Sequence, residues 1–537
     1  MNKSQSAAEL DIVVIGAGFG GMYALHRLRK LGYRVRVLEA ADGVGGTWYW
    51  NRYPGARCDV ESLEYSYSFD DELQQQWDWP ERFSAQPDIE KYANHVADRF
   101  DLRKDIQFNT RVQFAEFDNE TAIWTIRSAD EKTLTTQHLV LAVGNLSLPR
   151  VPNFPGLDQF KGRWFHTGQW PKEDVDFSGR TVGVIGTGSS GIQLIPVVAQ
   201  QAKQLFVFQR TANYSVPSMN RPLTPDVATP HKAQYRKWRD HAKHTPFGIA
   251  GHPPPEKFAA DDDFAQRQRL FETKWHTGGN ISFLYAYKDL LTDEQANETA
   301  CDFVRDKIGA TVKDPEVAAL LMPNDHPIGT KRLCLDTGYY ETYNQDHVHL
   351  VNVRQAPIEA VTPTGLRTTE TEYQFDDLIF ATGYDAMTGA ILDIDIRVKD
   401  GARLKDAWRD GPKTYLGVMV NGFPNMSIIT GPGSPSVKTN MISAIEQHVD
   451  WISDLVQHMS KTAKVKFQAE PDAQEQWVQH VNDVADTTLY PKANSWYTGA
   501  NIPGKPRVFM PYVAGLDKYR KICDDVAKDG YRGVSIE

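Results

Sequence analysis

The sequence predicts an α/β fold with two Rossmann-like dinucleotide-binding domains, one inserted in the other, plus a helical insertion. Three observations predict it. The first is a unit of apolar strand, glycine-rich turn, helix and second strand that occurs twice. The second is the series of charged, amphipathic helical segments in residues 222–329, which contain no such unit. A chain of 537 residues is also too long for a single hydrophobic core. The glycines of the two turns stand 170 positions apart: Gly16, Gly18 and Gly21, then Gly186, Gly188 and Gly191.

The first unit, "DIVVIGAGFGGMYALHRLRKLGYRVRVLEA", predicts a dinucleotide site. Gly16 permits a tight turn, Gly18 lets the backbone approach a pyrophosphate, and Gly21 lets the helix lie close to the strand. The helix N-terminus faces the phosphates. Glu39 ends the second strand, where a carboxylate accepts hydrogen bonds from ribose hydroxyls. An acid at this position suits an unphosphorylated adenosine ribose such as that of FAD.

The second unit, "RTVGVIGTGSSGIQLIPVVAQQAKQLFVFQR", lacks this acid. The position that corresponds to Glu39 holds Gln209, and Arg210 follows it. An acid there would repel a 2′-phosphate, whereas arginine pairs with it bidentately. The second site is therefore predicted to bind NADPH rather than NADH. Two such sites in one chain imply electron transfer from a nicotinamide to a flavin.

Two apolar strands that each run into a glycine turn, "HLVLAVGNLSLP" and "DLIFATGYDA", indicate the crossings between the domains. They predict that the NADPH domain is inserted in the FAD domain. The second part of the FAD domain would also carry a substrate loop and the C-terminal segment. The predicted boundaries are 1–145 and 381–537 for the FAD-binding domain, 146–221 and 330–380 for the NADPH-binding domain, and 222–329 for the helical insertion.

Composition and charge argue against several functions. A net charge of -10 disfavours nucleic acid and membrane surfaces as partners, since both need a cationic face. No stretch approaches the roughly 18 apolar residues of a membrane span, and the N-terminus leaves no room for a secretory signal. The four cysteines form no CxxC pair, so neither a dithiol centre nor a metal site is expected. We expect a reduced, cytoplasmic protein with no obligatory protein partner.

Two longer motifs carry a resemblance to a known family. Phe160, Gly162, His166, Trp170 and Pro171 in "FKGRWFHTGQWP" match the fingerprint FxGxxxHxxxW(P/D), and "GGTWYWNRYPGARCD" matches a second signature. The sequence resembles the type I Baeyer-Villiger monooxygenases, which are class B flavoproteins, over nearly its whole length. It is closest to the phenylacetone and steroid monooxygenase branch, through "GTKRLC", "GPGSPS" and "SWYTGANIPGKPRVFMPY", and is related to cyclohexanone monooxygenase.

The resemblance implies insertion of one oxygen atom from O2 beside the carbonyl of a ketone, which gives an ester or a lactone. In this family NADPH reduces FAD, O2 adds at flavin C4a, and the peroxyflavin attacks the carbonyl. The protein must then stabilise an anion in a closed site. Arg332 in "GTKRLC" matches the catalytic arginine of the family, and its charge is permanent. Asp59 matches the acid that orients this arginine.

The resemblance also implies which residues contact the cofactors. Lys331 is expected to join Arg210 on the 2′-phosphate, and Trp496 to fold over the bound NADPH. For FAD, the residues beyond the first glycine turn and Glu39 are Thr47, Trp48, Asp59, Tyr65 and Val112. For NADPH, they are Gly186, Gly188, Ser189 and Gly191 of the second turn, together with Arg210, Thr211, Lys331 and Trp496.

The loop expected to border the ketone pocket contains an unusual lysine. Related sequences carry small or apolar residues where this chain has Lys438. Two interpretations stay open: Lys438 points to solvent, or it favours a polar or anionic group on the ketone. The sequence determines neither the physiological ketone nor the oligomeric state. The residues of this loop are Ser436, Val437, Lys438, Thr439 and Met441.

The fingerprint segment lies just before the strand that enters the predicted NADPH domain. We expect Gly162 to shape a turn, and Phe160, Trp164 and Trp170 to anchor the segment by burial. Since the two domains must move during turnover, this segment is a candidate hinge. We interpret His166 as a hydrogen-bonding strut between linker and active site rather than as an acid or base. Whether it affects the rate or only the coupling of turnover stays open.

Other flavoprotein classes share parts of this pattern. A flavin-containing N- or S-oxygenating monooxygenase has both glycine turns but normally lacks the terminal Trp-Pro and the long second signature. A disulfide reductase needs a dithiol, which this chain lacks. A non-catalytic flavoprotein that senses redox state would not need the two cations Lys331 and Arg332 close to the glycine turns. An uncoupled NADPH oxidase would turn O2 into peroxide without oxygenating a ketone.

Overall fold

The structure is a computed structural model that describes residues 8–537. Within these residues, no helix combines the length and the apolar character needed to cross a membrane. The strands are β1 (Leu10–Ile15), β2 (Val35–Leu38), β3 (Ile106–Gln107), β4 (Val112–Asp118), β5 (Ile123–Ser128), β6 (Thr133–Leu141), β7 (Arg163–His166), β8 (Thr181–Ile185), β9 (Gln204–Gln209), β10 (Ser215–Pro217), β11 (Cys334–Asp336), β12 (Val348–Asn352), β13 (Ile358–Thr362), β14 (Gly365–Thr368), β15 (Glu372–Gln374), β16 (Asp377–Phe380), β17 (Asp395–Val398), β18 (Met426–Ile428), β19 (Phe467–Ala469) and β20 (Val534–Ile536).

The helices differ widely in length and occur throughout the described chain. The α-helices are α1 (Phe19–Lys30), α2 (Thr47–Trp50), α3 (Asp71–Gln76), α4 (Gln86–Arg99), α5 (Ser189–Ala199), α6 (Pro225–Lys232), α7 (Tyr235–Ala242), α8 (Phe264–Thr277), α9 (Asn280–Leu284), α10 (Glu294–Thr311), α11 (Pro315–Leu321), α12 (Tyr339–Thr342), α13 (Gly389–Leu392), α14 (Leu404–Ala407), α15 (Met441–Lys461), α16 (Pro471–Asp486) and α17 (Leu516–Lys528). The 3₁₀ helices are Arg103–Asp105, Leu157–Gln159, Thr167–Gln169, Ala259–Asp261, Ser436–Lys438, Tyr490–Lys492 and Trp496–Thr498.

The first large sheet has the strand order β17-β4-β5-β6-β1-β2-β3, and β18 also pairs with β6. β1 lies between β2 and β6 and runs parallel to both. Its four final residues are buried, because Ile12 and Val14 belong to the hydrophobic core on one face and Val13 and Ile15 to the core on the other. This explains why β1 is a continuous apolar run rather than an alternating one. The first glycine turn joins β1 to α1, which packs against α15.

The second sheet has the order β12-β9-β8-β16-β7, and every pair in it is parallel. The second glycine turn joins β8 to α5. The chain leaves the first sheet after β6 and returns to it only at β17, so the second sheet is inserted within the first. The predicted fold class, with two Rossmann-like units and one nested in the other, is confirmed.

The two crossings between the sheets run side by side. The Arg150 amide donates to the Gly383 carbonyl at 2.9 Å, and the Asp385 amide donates to the Leu148 carbonyl at 2.9 Å. Gly383 has a φ of +78°, a conformation that glycine adopts without strain. The outward and return connections therefore form one paired strip, so any movement of one sheet against the other must bend both strands of this strip together.

Helices α6 to α11 occupy the chain between β10 and β11, as predicted for a helical insertion. They have no core of their own. Phe271 and Val304 belong to the core of the second sheet, whereas Tyr235 belongs to the core of the first. Arg239 of α7 also donates to the Glu64 carbonyl at 2.7 Å. The insertion thus packs against both large sheets.

The fingerprint segment contains an edge strand of the second sheet, β7, paired with β16. Trp170 is buried at 6 % exposure and Phe160 is half-buried. The prediction that Trp164 anchors the segment by burial is wrong, since this side chain is 43 % exposed. Side chains alternate between the two faces of a strand, and on an edge strand one face stays open to solvent. Trp164 lies over Phe380 from that open face.

The long signature segment links the two sheets through a tight turn. The Tyr53 hydroxyl donates to Gln193 Oε1 at 2.8 Å, and Gln193 Nε2 donates to the Arg57 carbonyl at 3.0 Å. Gln193 lies on α5, which belongs to the second unit. Gly55 has a φ of +85°, and a Cβ there would lie 2.3 Å from the Gln193 carbonyl oxygen. Glycine is required because the turn touches the backbone of the neighbouring unit.

We predict that Gly55→Ala lowers the apparent melting temperature by several degrees, because it adds a backbone clash to a strained φ, at a combined cost of about 2–4 kcal/mol. Gly179→Ala is the matched control. Gly179 has a φ of +73° but open space around a Cβ, so it should lose only about 1 kcal/mol. Differential scanning fluorimetry measures both variants. Equal losses would contradict the close approach of this turn to α5.

Candidate active site

Arg332 and Asp59 form a bidentate ion pair, although 273 positions separate them in the chain. Arg332 Nε and Nη2 each donate to one oxygen of the Asp59 carboxylate at 2.6 Å. Asp59 ends the long signature of the first unit, and Arg332 stands two residues before β11. Each side chain is about one quarter exposed, at 26% and 24%. The site therefore forms where the two units meet.

A third contact fixes the guanidinium in position. Arg332 Nη1 donates to the Val437 carbonyl at 2.8 Å. A guanidinium carries five N–H groups, and three of them are used by Asp59 and Val437. The remaining two are available to an anionic oxygen. The arrangement is an oriented cation that can stabilise negative charge as it develops in a reaction.

The guanidinium of Arg332 stays protonated in this environment. Burial alone would lower the pKa of the guanidinium, but the Asp59 carboxylate outweighs burial and holds the pKa above its usual range. Arg332 cannot act as an acid here, so it can hold an anion without protonating it.

The first glycine turn has the shape of a dinucleotide cradle. A Cβ on Gly21 would lie 1.8 Å from the Gly16 carbonyl oxygen, so α1 can approach the strand only with glycine there. Glu39 is buried, and its two oxygens accept the amides of Ala17 and Ala41 at 2.6 and 2.7 Å. A carboxylate has about four acceptor positions, so two stay free for ribose hydroxyls. The residues present fit FAD.

The other residues predicted to contact FAD lie near this turn or at its margin. Trp48 Nε1 donates to the Tyr65 hydroxyl at 3.0 Å, which fixes both rings beside Asp59. Thr47 is exposed at the start of α2. Val112 is buried at the start of β4 and belongs to the core on the other face of the first sheet.

The second glycine turn is open where a pyrophosphate would lie. A Cβ on Gly188 would meet nothing within 4 Å, whereas one on Gly191 would lie 2.3 Å from the Gly186 carbonyl oxygen. Ser189 begins α5 and is exposed, with its hydroxyl 3.2 Å from Cys334 Sγ. The residues fit a second dinucleotide.

At the position that corresponds to Glu39, the side chain faces inward. Gln209 is 5% exposed, and its Nε2 donates to the Leu320 carbonyl at 2.7 Å. Arg210 is exposed immediately after it. The two units therefore differ in more than charge at this position. The Gln209 side chain is buried and bonded to Leu320, so Arg210 is the side chain of this pair that is exposed to a bound nucleotide.

A cluster of cations surrounds this position. Lys331 Nζ lies 3.8 Å from Asp325, and Arg354 donates to Asp325 at 2.6 Å and to the Thr211 hydroxyl at 2.9 Å. Burial lowers the pKa of Lys331, and the charges of Arg354 and Arg210 lower it further, although Asp325 opposes them. Lys331 and Arg354 thus share one carboxylate, and Arg210 lies close enough for its charge to act on Lys331. Three cations gathered in this way suit a 2′-phosphate. Sequence reasoning missed Arg354 and Asp325, because only the fold brings them to Lys331.

The substrate loop is held by a contact that sequence reasoning also missed. Ser436 begins a 3₁₀ helix with a φ of +47°, and Asn145 Nδ2 donates to its hydroxyl at 3.0 Å. Asn145 lies in the first crossing between the sheets. Thr439 is buried and Met441 begins α15. The loop therefore sits between Arg332, which holds Val437, and the crossing strip.

Lys438 points into the protein rather than to solvent. Its Nζ lies 4.1 Å from the centre of the Tyr490 ring and 4.5 Å from that of Tyr497. The ammonium is 3.5 Å from the Tyr497 hydroxyl. Trp496 is half-buried and packs against Tyr497, with ring centres 4.2 Å apart and ring planes tilted by 53°. Lysine, two tyrosines and the predicted cofactor tryptophan thus form one cluster.

A pocket opens next to Asp59. Its apolar lining comes from Val60, Phe83, Ile249 and Ile281. These residues come from both the first unit and the helical insertion, so the insertion contributes a wall of the site. Sequence reasoning missed this role, since apolar residues on the insertion carry no signal of their own.

His166 is buried at 1% exposure and makes two contacts. Its Nδ1 accepts the Gly168 amide at 3.0 Å, and its Nε2 lies 3.4 Å from the Thr382 hydroxyl. Burial lowers the pKa of His166 to about 4, so the ring is neutral near pH 7. Thr382 begins the return crossing, and its hydroxyl donates to the Arg150 carbonyl at 2.5 Å. His166 thus braces the paired crossings and does not contact Arg332 or Asp59.

The chain is similar over its length to proteins of known family. A family described as Flavin-binding monooxygenase-like matches residues 9–223. A Baeyer-Villiger monooxygenase of Pseudooceanicola batsensis is 42% identical over 99% of this chain and 97% of its own. An acetone monooxygenase (methyl acetate-forming) of Gordonia sp. is 41% identical over 99% of this chain and 100% of its own. An oxidised steroid monooxygenase bound to NADP has a TM-score of 0.94 and 48% identity, with 98% and 99% of the two chains covered.

The pKa of His166 predicts a pH effect on stability. The unfolded chain binds a proton at this histidine below about pH 6.5, whereas the native ring stays neutral to about pH 4. Stability present above about pH 6.5 is therefore lost as pH falls, by about 1.4 kcal/mol per unit and about 3 kcal/mol in all. His166→Asn keeps an acceptor for the Gly168 amide but does not titrate there.

When the pH is lowered from about 7.5 to about 5, the apparent melting temperature of His166→Asn should fall by fewer degrees than that of the unsubstituted protein. The buried His138 and His448 are present in both proteins and cancel in the comparison. Identical losses would show that His166 is not held neutral in the native state.

Proposed function

Since the chain belongs to the Baeyer-Villiger monooxygenases within the flavin-binding monooxygenase family, we propose that it inserts one oxygen atom of O2 beside the carbonyl of a ketone. The product is an ester or, from a cyclic ketone, a lactone. FAD and NADPH are the cofactors. The single observation that carries the proposal for this chain is the guanidinium of Arg332, held by Asp59 and Val437 with two N–H groups left free.

When bound, FAD would take up electrons from NADPH and activate O2, which supplies the oxygen atom that is transferred. The chain's own contribution is electrostatic. Arg332 donates its free N–H groups to negatively charged oxygen while Asp59 holds the guanidinium plane in place. A lysine in this position would be a flexible point charge that can lose a proton, whereas arginine presents a rigid fork of permanent charge.

We assign the first nucleotide site to FAD and the second to NADPH. Gly16, Gly18 and Gly21 would hold the FAD pyrophosphate, and Glu39 the ribose. Arg210 and Lys331 would hold the 2′-phosphate of NADPH, with Arg354 as a third cation. In the described structure Asp325 pairs with Arg354 and lies near Lys331, and it keeps these cations assembled where the phosphate would bind.

His166 is proposed to position the crossings rather than to exchange protons. It contacts Thr382 at the base of the return crossing, and this strip joins the two nucleotide sites. NADPH must reach the flavin while water stays excluded, so the geometry of the strip affects how well NADPH oxidation is coupled to oxygen transfer.

The decisive test is product analysis with NADPH, O2 and a panel of linear, cyclic, aryl and steroidal ketones, with amines and sulfides alongside. We expect esters or lactones from some ketones.

For Arg332→Ala we expect NADPH still to reduce the flavin, while ester formation falls about a hundred- to a thousandfold. The absorbance of the oxidised flavin and gas chromatography of the products measure the two effects.

The control is Arg34→Ala. Arg34 also pairs with an aspartate, Asp11, through two N–H groups that donate to one carboxylate oxygen. This pair lies at the surface, so its loss should leave both activities intact. The FAD content of each purified variant shows whether it has folded. Efficient oxygenation of amines or sulfides together with peroxide alone from every ketone would refute the proposed reaction, and retained ester formation in Arg332→Ala would remove Arg332 from it.

For cofactor choice, we predict that Arg210→Ala reduces kcat/KM for NADPH about ten- to a hundredfold, the value of one charge-assisted phosphate contact, and changes that for NADH less than about threefold. Arg367→Ala, an exposed arginine of β14 in the same unit, is the matched control. Steady-state oxidation of both nicotinamides is the measurement. Equal losses with NADPH and NADH would contradict a 2′-phosphate contact at Arg210.

A further inference from the structure

We propose that Lys438 makes the site selective for ketones that carry a carboxylate, so that the preferred substrates are oxo acids. This inference rests on the proposed ketone oxygenation and goes beyond it, because it names the chemical class of the ketone. It follows from where the Lys438 ammonium lies, which charges face it and which donors stand beside it.

The position of Lys438 ties it to the catalytic arginine. Val437, the preceding residue, accepts the hydrogen bond from Arg332 Nη1 at 2.8 Å. The Lys438 ammonium then turns into the cluster of Tyr490 and Tyr497, between the two ring faces. A group bound beside Lys438 would therefore lie next to the loop residue that holds Arg332.

The charges around this point do not balance. The charge of Asp59 acts on both Lys438 and Arg332, but Arg332 occupies both of its oxygens at 2.6 Å. Asp59 therefore pairs with Arg332 and not with Lys438. Burial lowers the pKa of the Lys438 ammonium well below its usual range, and the charge of Arg332 lowers it further. A buried cation without its own partner is unfavourable, and an anionic ligand would relieve it.

The donors at this point match a carboxylate. The Tyr497 hydroxyl lies 3.5 Å from the Lys438 ammonium, so the two groups can donate to the two oxygens of one carboxylate. Burial raises the pKa of Tyr497 to about 12, and the hydroxyl therefore keeps its proton. The faces of the tyrosine rings further favour a cation between them.

The acidic residues of the neighbouring pocket do not cancel this charge. Glu61 is paired with Arg82 at 2.7 Å, and Glu64 accepts the amides of Ala250 and Gly251 at 2.9 Å. Glu61 is therefore neutralised by its own arginine, and Glu64 is held by backbone amides of the helical insertion. Neither forms an ion pair with Lys438, so an anionic ligand beside the substrate loop would favour the protonated ammonium.

The test compares matched ketones: a series of methyl-ketone oxo acids of increasing chain length, their methyl esters, and unsubstituted ketones of the same length. The quantity measured is the ratio of kcat/KM for each oxo acid to that for its methyl ester. We expect this ratio to reach about ten to a hundred at one chain length, as for a buried charged hydrogen bond. Lys438→Met should bring it to about one while neutral ketones are still converted.

A pH series provides an independent readout. Carboxylate binding requires the protonated ammonium, so the ratio should fall as pH rises through the lowered pKa of Lys438. In Lys438→Met this ratio should be constant with pH.

Lys438→Gln is the second variant, since it keeps most of the length of the side chain without the charge. Lys132→Met, at an exposed hairpin lysine, is the control and should behave like the unsubstituted enzyme.

A ratio near one in the unsubstituted enzyme at every chain length would overturn the inference, whatever the variants do. So would a ratio that Lys438→Met leaves unchanged. A raised KM for NADPH in Lys438→Met, with the ratio intact, would assign the lysine to the cofactor instead. In all these cases neutral ketones still give esters, whereas failure of the proposed function would leave no ester from any ketone.

Discussion

The ion pair between Arg332 and Asp59 is the contact on which the rest of the site depends. Asp59 comes from the first unit, Arg332 from the second, and Val437, which holds the third N–H, from the chain that returns to the first. Removing one member would leave a largely buried charge without its partner, at a cost of about 3–5 kcal/mol. The pair therefore positions the cation for chemistry and also fixes how the two units meet.

The site is organised by a surplus of positive charge over its own carboxylates. Lys331 and Arg354 lie within ion-pair distance of Asp325, with Arg210 acting on Lys331, while Arg332 pairs with Asp59, whose charge also acts on Lys438. In both places the protein holds cations in partly buried positions before any ligand binds. Anionic ligands then find donors that are already oriented, so little reorganisation is needed on binding. In our proposals, the 2′-phosphate of NADPH would account for the first cluster and a substrate carboxylate for the second.

The two family motifs both contribute contacts where the two units meet. The turn at Gly55 touches the backbone of α5, and the fingerprint strand β7 carries His166 to Thr382 in the return crossing. The Trp170 amide also donates to the Trp50 carbonyl, so the two motifs meet each other. Both motifs therefore help to join the two units, and the long signature also supplies Asp59 to the ion pair with Arg332.

Sequence alone determined what depends on neighbours along the chain. The glycine spacings, the apolar strands and the contrast between Glu39 and Gln209–Arg210 are local, and they predicted the fold class and both cofactors. Arg332 and Asp59 were predicted by resemblance, and the structure brings them together, although their role stays a prediction. Only the tertiary structure decided contacts between residues far apart in the chain: Arg354 with Asp325, Asn145 with Ser436, the tyrosines around Lys438, and the exposure of Trp164 on an edge strand. The physical reason is that burial and charge depend on which elements pack together, and hydrophobic patterning specifies a buried face without specifying what will cover it.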